Sequence, residues 1–210
     1  MHYFDLHTHR PPINQDVTAI LSVDASNRVL PDYIYCSVGI HPQNAGITGF
    51  SDVETMAAHP NVVAIGETGL DKLASTPLEQ QEELFIAHIE LAERLRKPLI
   101  IHCVRAWQEL IRIRKQYSSE IPWIIHGFRG NDRLARQLLQ FGFYLSFGFH
   151  FHADALRAAW DSHRLYTETD DSNINIADVY QRITSSLAIT CEALSHAIRE
   201  NFQSRPCHNP

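Results

Sequence analysis

Eight times along this chain a short apolar run, rich in branched and aromatic residues, stops at Pro, Gly, Asp or Asn. The runs are Tyr3–Leu6, Thr18–Val23, Ile34–Val38, Val62–Ile65, Pro98–His102, Trp123–His126, Phe143–Phe147 and Leu165–Glu168. Each has the length and residue types of a buried strand. Amphipathic stretches separate the later runs, over Pro77–Arg96, Arg105–Tyr117, Asp132–Phe141, Asp154–Trp160, Ile176–Leu187 and Cys191–Phe202. In the first, Thr76 is expected to cap the helix and Glu79 to complete a capping box. Asn131 and Gly142 bracket the Asp132–Phe141 helix. Strand–helix alternation with near-continuous apolar strands implies a parallel sheet covered on both faces. Eight strands predict an α/β fold of the (β/α)₈ TIM-barrel type in one domain, residues 1–210. The first three strands stand too close together for full helices, so the barrel is expected to be trimmed of helices on its N-terminal side. An open doubly wound sheet is the alternative, but His7-Thr8-His9 occupies the place of a dinucleotide fingerprint.

Composition narrows the function. With 44% hydrophobic and 20% charged residues the chain is an ordinary globular one, and no apolar run is long enough to span a membrane. MHYFDLHTH lacks the basic and apolar segments of a secretory signal, and four scattered cysteines suit reduced thiols, so a cytoplasmic protein is expected. A net charge of −6 argues against an extended surface for duplex DNA. It leaves room for a phosphate-bearing substrate, because bound metal supplies positive charge locally. Thirteen histidines against 18 Lys and Arg direct attention to metal or acid–base chemistry.

The polar residues fall in a pattern. His7 and His9, His41, Glu67, His102, His126 and Asp170 each follow or close a different predicted strand. In a barrel those ends converge on the face where active sites form. His7 and His9, two apart, share one face of a strand and can chelate together. His7, His9, Glu67, His102, His126 and Asp170 offer four nitrogens and two carboxylates. That set suits Zn²⁺, Mn²⁺ or Fe²⁺ and has more nitrogen than Mg²⁺ prefers. It exceeds one tetrahedral site and fits two metals with open positions.

With these residues in view, the chain resembles the TatD family of metal-dependent hydrolases. The matching motifs are FDLHTH at 4–9, VGIHP at 38–42, VVAIGETGLD at 62–71, PLIIHC at 98–103, HGFRG at 126–130, TETD at 167–170 and the closing CEALSHAIRENF at 191–202. The resemblance implies that His7, His9 and Asp170 bind one divalent ion (Zn²⁺, Mn²⁺ or Mg²⁺) and His102 and His126 a second. It implies that Glu67 bridges the two and that His41 meets substrate. The expected activity is hydrolysis of phosphodiesters by a metal-activated water, as a deoxyribonuclease trimming nucleic-acid ends or on a small phosphodiester. Asp170 doubles as proton acceptor, and Lys72, Arg105 and Arg129 are candidate phosphate contacts. The Asp171-Ser172-Asn173 segment runs directly toward a helix, so the substrate shell is trimmed relative to longer members.

Two other readings remain. An amide or lactone hydrolase would use the same water activation, although Glu67 stands where amidohydrolases often carry a modified lysine. A barrel that binds metal without catalysis is the other. Many residues have plainer explanations. His88 lies on an apolar helical stripe and belongs to the core. His2, His59, His163, His196 and His208 lie on tails, loops or helix surfaces. His150 and His152 follow the seventh strand and are weak substrate candidates. Asp5 buttresses a ligand, and Asp171 is a weak substitute for Asp170. Cys36 and Cys103 are packing groups, Cys191 and Cys207 form no metal clip, and Trp107, Trp123 and Trp160 pack more readily than they stack on bases.

Overall fold

The computed structural model describes residues 1–12, 14–27, 29–46 and 49–203, the last without its side chain; Cys207 and His208 lie outside this range. Eight strands follow one another in chain order across a single sheet. They are β1 (Tyr3–Thr8), β2 (Val17–Asp24), β3 (Tyr35–Gly39), β4 (Val62–Asp71), β5 (Leu99–Val104), β6 (Trp123–Ile125), β7 (Phe143–Phe147) and β8 (Leu165–Thr167). A parallel bridge between Thr8 and Asp170 joins the end of β8 to β1. This is the expected (β/α)₈ barrel. Its contacts gather into two compact units, Leu21–Ile124 and the remainder on either side.

In the unit formed by the chain's two outer parts, α4 (Asp132–Gln140), α5 (Ala153–Asp161), α6 (Ile176–Leu187) and α7 (Cys191–Gln203) accompany β7 and β8. The core holds Phe4, Leu6, Phe143, Leu145, Phe147, Tyr166 and Tyr180. Tyr180 and Thr167 tie this core to the β1 backbone: Phe4 N–H donates to the Tyr180 hydroxyl at 3.1 Å, and Thr167 Oγ1 donates to Phe4 O at 2.8 Å. The helix starts follow local chemistry. Asn131 accepts from Leu134 N–H, and Asn175 accepts from Ala177 N–H.

The central unit carries α1 (Phe50–Ala57), α2 (Leu78–Leu95) and α3 (Trp107–Arg114) beside β3, β4 and β5. Among the described residues no helix separates β1 from β2, and only a 3₁₀ turn at Ala25–Asn27 separates β2 from β3. The N-terminal trimming is therefore present, but the sequence reading placed no helix at α1. The Thr76 cap does not form. Its hydroxyl donates instead to Gln43 O, and Pro77 occupies the cap position without a side-chain bond. Buried Gln81 satisfies the loop: its Oε1 accepts from Asp71 N–H at 2.7 Å, and its Nε2 donates to Asp71 O and Thr76 O.

β4 differs most from expectation. It does not end at Ile65 but runs to Asp71, buried throughout. Gly66 and Gly69 take φ of +130° and +144°, where side chains are strained. A Cβ on Gly66 would lie 2.3 Å from Ile100 O, and one on Gly69 2.0 Å from His102 O. The glycines that read as a strand end are what lets β4 lie this close to β5. No described helix is long and apolar enough to cross a membrane.

Candidate metal centre

The outer unit assembles one donor group where β1 meets β8. His7 lies buried near the end of β1, and His9 follows the strand, half-exposed. Asp170 follows β8 in a left-handed conformation, φ +55°. Two backbone bonds fix it between the histidines: Asp170 N–H donates to His7 O at 2.9 Å, and His9 N–H donates to Asp170 O at 3.1 Å. Oδ1 of Asp170 then lies 3.6 Å from Nε2 of His7 and 3.6 Å from Nε2 of His9. Donors at bonds of about 2.1 Å in a tetrahedron stand roughly 3.4 Å apart, so this spacing suits an ion among the three.

Asp5 holds this arrangement from behind. Its Oδ1 accepts from Thr169 N–H at 3.0 Å and its Oδ2 from Thr169 Oγ1 at 2.6 Å, which anchors the residue before Asp170. Burial pushes the Asp5 carboxyl up to about 7, against the hydrogen bonds from Thr169. This is the buttressing role expected of it.

His126 follows β6 in the same unit, its ring 4.2 Å from that of His7 between centroids. Its Nδ1 stands 3.7 Å from Oε1 of Glu168, a buried carboxylate that also accepts from Gly127 N–H at 2.5 Å. Burial works to raise Glu168, yet the adjacent His126, His7 and Ser146 hold it below the usual carboxylate range. Glu168 Oε2 is buried with no hydrogen-bond partner among the described residues. His126, Glu168 and Asp170 bring three donor atoms within 4.8 Å of one another.

The central unit assembles another group. Glu67 Oε1 lies 3.0 Å from Nδ1 of His102 and 3.5 Å from Nε2 of His41. The two imidazole centroids are 4.3 Å apart. His41 Nδ1 accepts from Gln43 N–H, which turns Nε2 toward Glu67. On the far side of His102, Nε2 lies 3.4 Å from Oδ2 of buried Asp71. His41, the sequence's candidate for substrate, thus shares a three-donor group with Glu67 and His102. The chemistry of these donor sets, imidazole nitrogens beside carboxylates, fits Zn²⁺ or Mn²⁺.

Asp71 and Glu168 were not among the candidates read from sequence. Asp71 was hidden because Gly66 appeared to end the strand, although an Asp four residues past Glu67 in one apolar run was a signal. Glu168 sat in the quoted TETD motif, two residues before Asp170, without an assigned role. Of the phosphate candidates, Arg105 and Arg129 are exposed, whereas Lys72 Nζ is paired with Glu109 Oε1 at 2.7 Å. Asp171 is exposed and joins no donor group. Trp123 is fully buried against Phe85 and Tyr117. His88 is buried as expected: its Nε2 accepts from Ile40 N–H, and its Nδ1 faces Leu84 O. Burial pushes the Cys36 thiol up to about 11 and that of Cys103 to about 12, which makes both poor nucleophiles.

A (β/α)₈ barrel with histidine and carboxylate groups on and just beyond its strands is the architecture of a metal-dependent hydrolase. A family model described as TatD related DNase matches residues 13–205. The chain belongs to that family. The uncharacterized metal-dependent hydrolase YabD of Bacillus subtilis (strain 168) is 38% identical over 122 residues, 56% of this chain and 48% of its own. A protein named 3'-5' ssDNA/RNA exonuclease TatD, from Edwardsiella piscicida, is 34% identical over 55% of this chain and 46% of its own. The chain thus matches about half the length of these curated relatives. Among solved structures, the TatD homolog YJJV of Escherichia coli K12 superposes with a TM-score of 0.78 at 20% identity, covering 95% of each chain. A TatD-family hydrolase from Entamoeba histolytica gives 0.76 at 13% identity over 99% of each. Both likenesses bear out the fold.

Proposed function

We propose that this chain hydrolyses phosphodiesters with two divalent metal ions and trims the ends of nucleic acids, as a TatD-type deoxyribonuclease working in the cytoplasm. The observation that carries the reading is the presence of a separate His–His–carboxylate group in each unit, His7–His9–Asp170 and His41–Glu67–His102. Two ions acting together are the usual means of cleaving a phosphodiester in line. When bound, such ions acidify a water toward neutral pH and offset charge on the phosphoryl oxygens.

The chain's own residues supply the rest. Asp170 orients His7 and His9 and accepts the proton of the attacking water. Glu67 orients His102 and His41. Its role as a carboxylate shared by both ions, and the assignment of His126 with His102 to one ion, rest on the family resemblance. Arg105 and Arg129 contact substrate phosphates, and Lys72 does so by exchanging Glu109 for phosphate. The name of the Edwardsiella relative supports a single-stranded substrate.

The test is hydrolysis of an end-labelled single-stranded oligonucleotide with Mn²⁺, Mg²⁺ or Zn²⁺, with Glu67→Ala beside the natural protein. A ladder of shortened products that the substitution abolishes is the expected result. No cleavage with any of the three metals would overturn the nuclease reading.

A further inference from the structure

Beyond the metal ligands of the outer unit, β7 and β8 both lead into an open groove. Phe147 pairs in register with Thr167, so the segments that follow leave the sheet side by side. One brings Phe149 and Phe151 to the groove, and the other brings Asn173 and Asn175, three and five residues past Asp170. Arg182 and Gln181, from α6, complete its floor. The volume is roughly 1110 Å³.

The aromatic pair differs from the aromatics of the unit's core. Phe4, Phe143, Phe147 and Tyr166 are buried in the core, whereas Phe149 and Phe151 are only half-buried. Their faces meet an exposed cation. The Arg182 guanidinium carbon lies 4.6 Å from the Phe149 centroid and 5.6 Å from that of Phe151. Two ring faces, a planar cation laid on them and flanking amides are the elements with which proteins hold unpaired bases. The rings offer a sequence-tolerant stacking platform. The guanidinium can stack with a base and bind a phosphate through its edge. The amides of Asn173, Asn175 and Gln181 offer donors and acceptors to base edges. Duplex DNA keeps its bases stacked on one another and has little use for such a platform.

The loop that joins the groove to the metal ligands is also fixed. Ser172 N–H and Oγ both donate to Thr169 O, and Asn175 caps α6. Groove and Asp170 are therefore held at the same end of the same two strands.

We propose that this groove is a stacking subsite for the unpaired bases of a single-stranded nucleic acid whose phosphate is held at the metal ligands beside it. The proposal rests on the nuclease reading above and names how that substrate is gripped. Because stacking on one aromatic is worth about 1–3 kcal/mol, loss of Phe149 weakens binding roughly 5- to 150-fold.

The experiment measures fluorescence anisotropy of a labelled, cleavage-resistant phosphorothioate oligothymidylate of about twelve nucleotides on the full chain with Mn²⁺ present. Phe149→Ala and Arg182→Ala are expected to weaken binding about tenfold, and Phe149→Trp to restore it. An abasic strand with the same phosphates should bind the natural protein as weakly as the thymidylate binds Phe149→Ala. Circular dichroism of each variant establishes that it is folded. Equal affinity of folded Phe149→Ala and the natural protein would overturn the subsite, as would an abasic strand that binds as well as the thymidylate. The nuclease reading fails separately, if the natural protein cleaves an ordinary oligonucleotide with none of Mn²⁺, Mg²⁺ and Zn²⁺.

Discussion

Replacing His88 with glutamine should remove a large part of the protein's sensitivity to acid. In the native state His88 Nε2 accepts from Ile40 N–H at 3.1 Å, and the ring is wholly buried. Protonation would turn Nε2 into a donor facing another donor, out of reach of bulk solvent. Burial accordingly pushes the imidazole from 6.5 down to about 4. An unfolded chain takes up this proton near pH 6.5, while the folded chain resists until about pH 4. Between those values the unfolded state binds more protons, so stability falls as pH falls. Over about 2.5 pH units, at about 1.36 kcal/mol each, the loss approaches 3 kcal/mol. Glutamine keeps an acceptor for Ile40 N–H but takes up no proton. Urea unfolding followed by tryptophan fluorescence at pH 7, 5.5 and 4 should give a shallower pH dependence for His88→Gln, by about 3 kcal/mol over the range. The two curves differ only through this group, so other titrating residues cancel. Parallel curves would refute the reasoning and mean that His88 is charged or solvated in the folded state. The effect bears on the site, because the N–H that His88 holds belongs to the residue before His41.

Two further substitutions probe the central unit. Asp71→Ala removes the carboxylate 3.4 Å from His102 Nε2, and outer partners of this kind are worth roughly 10- to 100-fold in metal affinity. Titration calorimetry should show Mn²⁺ binding weakened to that extent, and an unchanged isotherm would remove Asp71 from the site. Gly69→Ala places a methyl group 2.0 Å from His102 O at a φ of +144°. It should cost at least about 3 kcal/mol, read as a drop in the thermal unfolding midpoint, since backbone must move and the conformation is strained as well; a loss below about 1 kcal/mol would mean that β4 and β5 separate easily here.

Where local chemistry and long-range packing agree, the sequence was readable. The apolar run at Phe143–Phe147 and the amphipathic stretch at Ile176–Leu187 coincide with β7 and α6, and the Asn131 cap forms as expected. His9, His41, His126 and Asp170 were legible because each follows a strand, whereas Glu67 and His102 lie inside β4 and β5 rather than at their ends. What failed to show depended on neighbours distant in the chain. Gly66 and Gly69 look like punctuation until β5 is known to press against them. Thr76 looks like a cap until Gln43 O competes for its hydroxyl. Helix α1 has only two turns, and its cap residue, Gly49, makes no side-chain bond, so its stripe of Val53, Met56 and Ala57 is thin. Asp71 and Glu168 escaped notice because their importance lies in the imidazoles they face rather than in their own spacing.

The joining of β1 to β8 bears on how the protein is made. Asp5 and Thr169, whose hydrogen bonds set Asp170 between His7 and His9, lie 164 residues apart. The histidines leave the ribosome among the first residues of this sequence, and their carboxylate partner follows only after every other strand. A nascent chain can therefore hold no complete outer donor group until β8 has been synthesised and folded against β1, a closure of high contact order. Whatever chemistry this donor group supports is withheld until β8 has paired with β1.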